Sequence, residues 1–197
     1  MEDRMATSRP LAMGLHVQPI LDTLKGNPEM WSEITARQDH PGGTHRDTEC
    51  IFVRGPEAFT LRKYFHDTGS FDYPAFDKLR PVLAPVLGPI LTDLLQVERL
   101  GRVLIVNLRP GGVVSEHVDV GSYADTFARF HIVLSTNPGC TNTTGGEVEH
   151  WKQGSCWWFN HTLPHSAANH GDTDRVHLIV DAIAPDFPVQ RGQHGHS

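Results

Sequence analysis

His117 and Asp119 stand two apart in Ser115-Glu116-His117-Val118-Asp119, and His165 follows in Leu163-Pro164-His165-Ser166. On a strand, residues two apart face the same way, so an imidazole and a carboxylate can reach one ion, with His165 as the third donor. Two histidines and a carboxylate on one face of a six-coordinate ion leave three positions open, as non-haem iron(II) oxygen chemistry requires. A structural zinc site would be closed. His-x-Asp alone is a weak signal, and the sequence holds others, among them His45-Arg46-Asp47. That one lies outside the strand-rich block, just after the breaker Pro41-Gly42-Gly43, and reads as a loop histidine.

Arg175 makes the set specific. It lies ten residues after His165 (175 − 165) and opens the segment RVHLIVDA. A dicarboxylate that chelates the ion through one end needs a fixed cation for the other, and the planar arginine fork suits that task. Two rival readings stay open. A cupin-like metal-binding or sensor protein without turnover would have no need of Arg175. A zinc hydrolase would need a general base, and Glu116, one residue from His117, faces away.

These residues have to be positioned by strands. Arg102–Leu108, Val113–Val120, Ala128–Thr136 and Arg175–Ala182 are rich in strand formers, with short strands expected at Glu147–Trp151, Ser155–Asn160 and Pro164–Ala168. Thr48–Arg54 predicts one earlier strand, and Pro56–Tyr73 reads as loop. Val82, Leu83, Val86, Leu87, Ile90, Leu91, Leu94 and Leu95 recur as on a one-sided helix, which Pro85 and Pro89 should kink or split. Helices followed by closely spaced strands predict a mainly β (α+β) fold: a jelly roll, or double-stranded β-helix, with helices outside. The chain divides into an irregular or helical extension over 1–45, a core domain over 46–185 with a helix at about 78–97, and a flexible tail over 186–197.

Composition narrows the class. With 197 residues, 39% hydrophobic and 20% charged, one folded domain is affordable. A net charge of −6 argues against a nucleic-acid partner. Three irregularly spaced cysteines give no disulfide framework, and no apolar run approaches the ~20 residues of a membrane span. A cytoplasmic protein with no membrane partner is expected; the oligomeric state is not legible. Among the 13 histidines, those in Gln193–Ser197 read as part of the tail, and His150, His161, His170 and His177 as bystanders. Pleat alternation separates Trp157 and Phe159 from Trp158. The cysteines have no neighbouring base that would make a thiol nucleophile.

At these residues the chain resembles the aspartyl/asparaginyl β-hydroxylase-like family of 2-oxoglutarate oxygenases, which includes the proline cis-hydroxylases. The matching segments are Leu108-Arg109-Pro110-Gly111-Gly112 leading into His117-Val118-Asp119, then Arg129-Phe130-His131 with Thr136–Cys140, then Gly154–Asn160 leading into His165, Asn169 and Arg175–Asp181. The resemblance covers about residues 100–183. It implies a double-stranded β-helix holding iron(II) at His117, Asp119 and His165, with 2-oxoglutarate anchored by Arg175. It further implies that O2 is consumed, that succinate and carbon dioxide are released, and that an amino acid or peptidyl side chain is hydroxylated. Asp119 is similar to the ligand of the full-triad, amino-acid-hydroxylase-like members. Arg129 and His131 match family positions beside the cosubstrate, and Asn169 is expected to support His165 by a hydrogen bond.

Overall fold

In the computed structural model, which describes residues 6–39 and 43–189, the longest apolar runs become the centre of a sheet. The strands are β1 (Ser8–Ala12), β2 (Thr48–Gly55), β3 (Phe71–Asp72), β4 (Arg99–Leu108), β5 (Val113–His117), β6 (Ala128–Ser135), β7 (Cys140–Thr144), β8 (Glu147–Glu149), β9 (Cys156–Phe159), β10 (His165–Asn169) and β11 (Arg175–Ile183). β4 and β11 are buried along nearly their whole length, as strands covered on both faces must be, and they pair antiparallel with Arg175 opposite Leu108. Seven strands form the larger sheet in the order β1-β9-β6-β11-β4-β2-β3; four form the smaller one in the order β5-β10-β7-β8. Together they build the double-stranded β-helix that the strand spacing predicted.

Helices cover the outer face of the larger sheet. Ile20 and Leu24 of α1 (Gln18–Gly26) and Leu79 and Leu83 of α3 (Pro74–Pro89) share one core with Ile51, Val103, Ile105, Phe130 and Leu178. The smaller sheet faces the other side, so polar side chains on the inner pleat lie between the sheets. α3 starts at Pro74, earlier than expected, and runs unbroken through Pro81 and Pro85. All three of its interior prolines lie on the exposed side, four residues apart, where the missing hydrogen bonds are least costly. Beyond Pro89 the helix widens, and the Leu95 N–H donates to the Ile90 carbonyl at 2.9 Å.

Three segments differ from expectation. The N-terminal extension contains β1, which pairs antiparallel with β9 as an edge strand and so tolerates Pro10. The supposed loop 56–73 contains α2 (Leu61–Phe65), capped by Thr60, whose hydroxyl accepts from the Lys63 N–H at 3.3 Å, and it also contains β3. The segment Ser122–Thr126 forms the short helix α4. Residues Gln193–Ser197 of the expected tail lie outside the described residues.

Candidate functional site

β5 and β10 are neighbours in register, and His117 sits directly opposite His165. That pairing brings the two rings to 4.2 Å between centroids. The strand ends at His117, not at Val120 as expected, because β10 begins at His165 and offers no backbone partner beyond it. Asp119 therefore lies past the strand end, where its N–H donates to the His161 carbonyl at 3.2 Å. A loop contact, rather than strand alternation, aims the carboxylate.

The backbone fixes both tautomers. His117 Nδ1 lies 2.8 Å from the Ser115 carbonyl, and His165 Nδ1 lies 2.9 Å from the Leu163 carbonyl. A carbonyl can only accept, so each ring donates through Nδ1 and keeps a bare lone pair on Nε2. Those Nε2 atoms lie 3.6 and 4.0 Å from Asp119 Oδ1, and the three donors fall within 4.8 Å of one another. Burial pushes the His165 imidazole down to about 4, against the pull of Asp119, so it is neutral at physiological pH. The Asp119 carboxyl is raised by burial, but Arg129 and the imidazoles of His165, His161 and His117 outweigh that and hold it well below the usual carboxylate range. Two imidazoles and one carboxylate are a donor set suited to a divalent ion of intermediate softness. Glu116 is exposed and stands apart from this cluster.

The cavity beside the cluster is lined by His117, Arg129, His131, Trp151, Phe159 and Arg175, among others. Arg175 is 4% exposed, and burial pushes its guanidinium down to about 10. Nη2 donates to Asn142 Oδ1, while Nε is buried without a partner. No carboxylate among the described residues neutralises it. Such a group fits an incoming anion. Arg129 bridges Asp119 and Asp181, with Nε 2.7 Å from Asp181 Oδ1. His131 contacts His177 Nδ1 to Nδ1 at 3.1 Å, and its own Nε2 is buried and unpartnered. Trp151 stacks on Trp157 at 5.1 Å, and Phe159 belongs to the same cluster. Trp158 packs into the helix-side core, as alternation predicted.

Several residues behave otherwise than expected. Asn169 does not touch His165. Its amide donates to the Leu108 and Thr173 carbonyls at 2.9 Å, and its oxygen accepts from Asn137 at 3.0 Å, so it ties together the loops flanking β10. His161 and His177 are more than bystanders: one receives the Asp119 N–H, the other braces His131. His45 is no loose loop histidine. Its ring packs edge-on against His117 at 5.2 Å, and Arg37 Nη2 lies 3.1 Å from its Nε2. Both line the cavity. The sequence signal for His45 was only His45-Arg46-Asp47 directly before β2; nothing local tells that it packs against His117.

The His131–His177 pair predicts acid sensitivity. Burial pushes both imidazoles well below 6.5, with Arg175 adding to the effect. The unfolded chain then binds protons that the fold excludes, so stability is complete above about pH 6.5 and falls as pH drops below it. Each group contributes up to ~1.4 kcal/mol per pH unit there. Urea midpoints measured at pH 7.5 and 5.5 should differ accordingly, and His177→Gln should flatten that difference; an unchanged midpoint would contradict the burial argument.

The family model described as Aspartyl/Asparaginyl beta-hydroxylase matches residues 64–185. L-proline cis-4-hydroxylase of Rhizobium meliloti (strain 1021) is 39% identical over 84 residues, 43% of this chain and 30% of the relative. Aspartate beta-hydroxylase domain-containing protein 2 of Mus musculus is 35% identical over 98 residues, 47% of this chain and 27% of the relative. The chain thus spans less than a third of either relative's length. Among solved structures, a 2OG-Fe(II) oxygenase family oxidoreductase from Burkholderia pseudomallei matches with a TM-score of 0.55 at 12% identity, over 96% of this chain and 90% of that one. A Pseudomonas putida prolyl-4-hydroxylase matches with a TM-score of 0.53 at 14% identity, over 91% of this chain and 94% of that one. At such identity these structures speak to the fold alone. No helix among the described residues is long and apolar enough to cross a membrane.

Proposed function

The chain belongs to the aspartyl/asparaginyl β-hydroxylase family, and from that premise we propose that it is an iron(II)- and 2-oxoglutarate-dependent dioxygenase acting on an amino acid or an amino-acid side chain of a peptide. The observation that carries this reading is the convergence of two imidazole Nε2 atoms and the Asp119 carboxylate, with His117 and His165 lining the same cavity as a buried, unneutralised guanidinium. His117, Asp119 and His165 would hold the metal. When bound, iron(II) supplies the chemistry by which one O2 is split between two products, one oxygen entering succinate and the other a substrate C–H bond, with loss of carbon dioxide.

The protein's part is positioning. Arg175 binds the far carboxylate of 2-oxoglutarate, and Asn142 holds the guanidinium in place. Arg129 keeps Asp119 ionised and oriented, itself anchored by Asp181. Arg129 and His131 are also the proposed secondary contacts to cosubstrate or substrate. His131 faces the cavity with an unpartnered Nε2, and Arg129 has N–H groups beyond those given to the two aspartates. Trp151 and Phe159 wall the cavity with apolar surface, which limits water around the reacting groups.

The reading is tested by mixing the protein with iron(II), 2-oxoglutarate and air, with and without a panel of amino acids and short peptides. Succinate is expected, increased by a substrate that gains 16 Da. No succinate under any condition would sink the proposal.

A further inference from the structure

A second cavity adjoins the first, lined by Phe59, Leu61, Tyr64 and Phe65 and closed on one side by Arg37 and His45. Arg37 and His45 line both cavities, whereas Arg175 lines only the metal side. They are therefore the boundary between the two cavities. At about 130 Å³ the second cavity has room for a group the size of one amino acid.

Arg37 is an incomplete cation. Its Nη2 contacts the His45 ring and the guanidinium lies beside the Cys50 thiol, but Nε and Nη1 are buried and have no oxygen or nitrogen acceptor among the described residues. Acids that could serve are committed elsewhere: Asp119 and Asp181 to Arg129, Glu49 to Arg109, and Asp47 to the Val113 N–H. Buried donors without acceptors are costly, and the cost is relieved when an anion arrives. Under the proposed function the two ends of 2-oxoglutarate already have places, one at Arg175 and one at the metal cluster. The remaining anion is the substrate's.

We propose that Arg37 is the specificity residue that binds the carboxylate of the primary substrate, a free amino acid with an apolar body that enters along Phe59, Tyr64 and Phe65. This rests on the oxygenase reading and deepens it. The carboxylate stays at the boundary while a C–H bond is carried past His45 toward His117 and His165. An internal peptide residue has no α-carboxylate to give. An internal aspartyl side chain could supply one, but it would press its flanking peptide groups against an aromatic wall and desolvate them.

The test is equilibrium binding to the full chain, by calorimetry, with 2-oxoglutarate and with zinc(II) replacing iron so that turnover does not intervene. The titrants are L-leucine, L-proline and L-phenylalanine, the carboxamide of each, and a blocked aspartyl tripeptide. At least one free acid should bind, about 30-fold or more tighter than its carboxamide, as a charge-assisted contact implies. Arg37→Gln should shrink that ratio to below about 3-fold, and Arg37→Lys should restore part of it. The assignment is overturned if no free acid binds, if acid and amide bind alike, if the blocked tripeptide binds tightest, or if Arg37→Gln keeps the full ratio. The acid-to-amide ratio on the unmodified chain needs no variant to fold. Succinate formation is scored separately: its absence would sink the oxygenase reading, while a lost acid preference would sink only this assignment.

Discussion

Replacing His165 with alanine is expected to cut iron-dependent 2-oxoglutarate turnover by well over 100-fold and to abolish tight metal binding. His165 supplies one of three donors, and its Nε2 is bare because the Leu163 carbonyl holds the other ring nitrogen. Partners that merely orient a ligand are worth 10–100-fold, so loss of the donor itself should exceed that range. The ring also fills space: it is 8% exposed, lies tilted against His117 with centroids 4.2 Å apart and meets Phe159 edge-on at 5.2 Å. His117 would lose a neighbour as well as a co-ligand. Binding is read from the visible bands of cobalt(II) or nickel(II), and turnover from succinate. Glu116→Gln is the matched control: it changes an exposed carboxylate adjacent to His117 and should leave both readings within 2- to 3-fold of the parent, as about ±0.5 kcal/mol at a surface position implies. Should His165→Ala still bind metal and turn over normally, the ligand set is wrong. Should Glu116→Gln be inactive, a carboxylate base becomes the better reading and hydrolysis returns as a rival.

Legibility in the sequence tracked how local the determinant was. β4 and β11 could be read because a strand buried on both faces needs a long, mostly apolar run, and each run is bounded by turn residues. Trp158 could be separated from Trp157 and Phe159 because pleat alternation is local. His117 and His165 are 48 residues apart (165 − 117), yet residue type and the step to Arg175 picked them out. The Asp119 position was expected for the wrong reason: its strand stops two residues short, and a His161 carbonyl far along the chain sets its place. β1 was missed because Ser-Arg-Pro-Leu-Ala has no alternation; its strand character comes from the β9 edge it covers. Arg37 and His45 were missed for a similar reason. Their importance lies in where a loop folds, and a lone arginine in a polar segment looks like any solvated charge until its nitrogens prove to be buried.

Arg175→Ala should raise the KM for 2-oxoglutarate by about 100-fold while metal binding persists. The guanidinium is among the most buried charges in the chain, with Asn142 as its side-chain hydrogen-bond partner among the described residues. A bidentate contact to a carboxylate consists of two charge-assisted hydrogen bonds, each worth about 1.5–3 kcal/mol, so losing it costs two or more powers of ten. Arg175 stands opposite Leu108 in the sheet and is remote from the three donors in hydrogen-bonding terms, so those donors should survive its removal. Arg175→Lys keeps a charge but loses the planar fork; its KM should fall between the two. Asn142→Ala should shift KM in the same direction by a smaller factor, since it frees the guanidinium without deleting it. Metal binding and thermal melting of each variant separate a lost anchor from a lost fold. If Arg175→Ala works normally at low 2-oxoglutarate while binding metal, the dicarboxylate is anchored elsewhere, and Arg37 or Arg129 becomes the group to test. A rise in KM at nearly unchanged kcat would instead mark Arg175 as a binding group that holds cosubstrate equally before and during reaction.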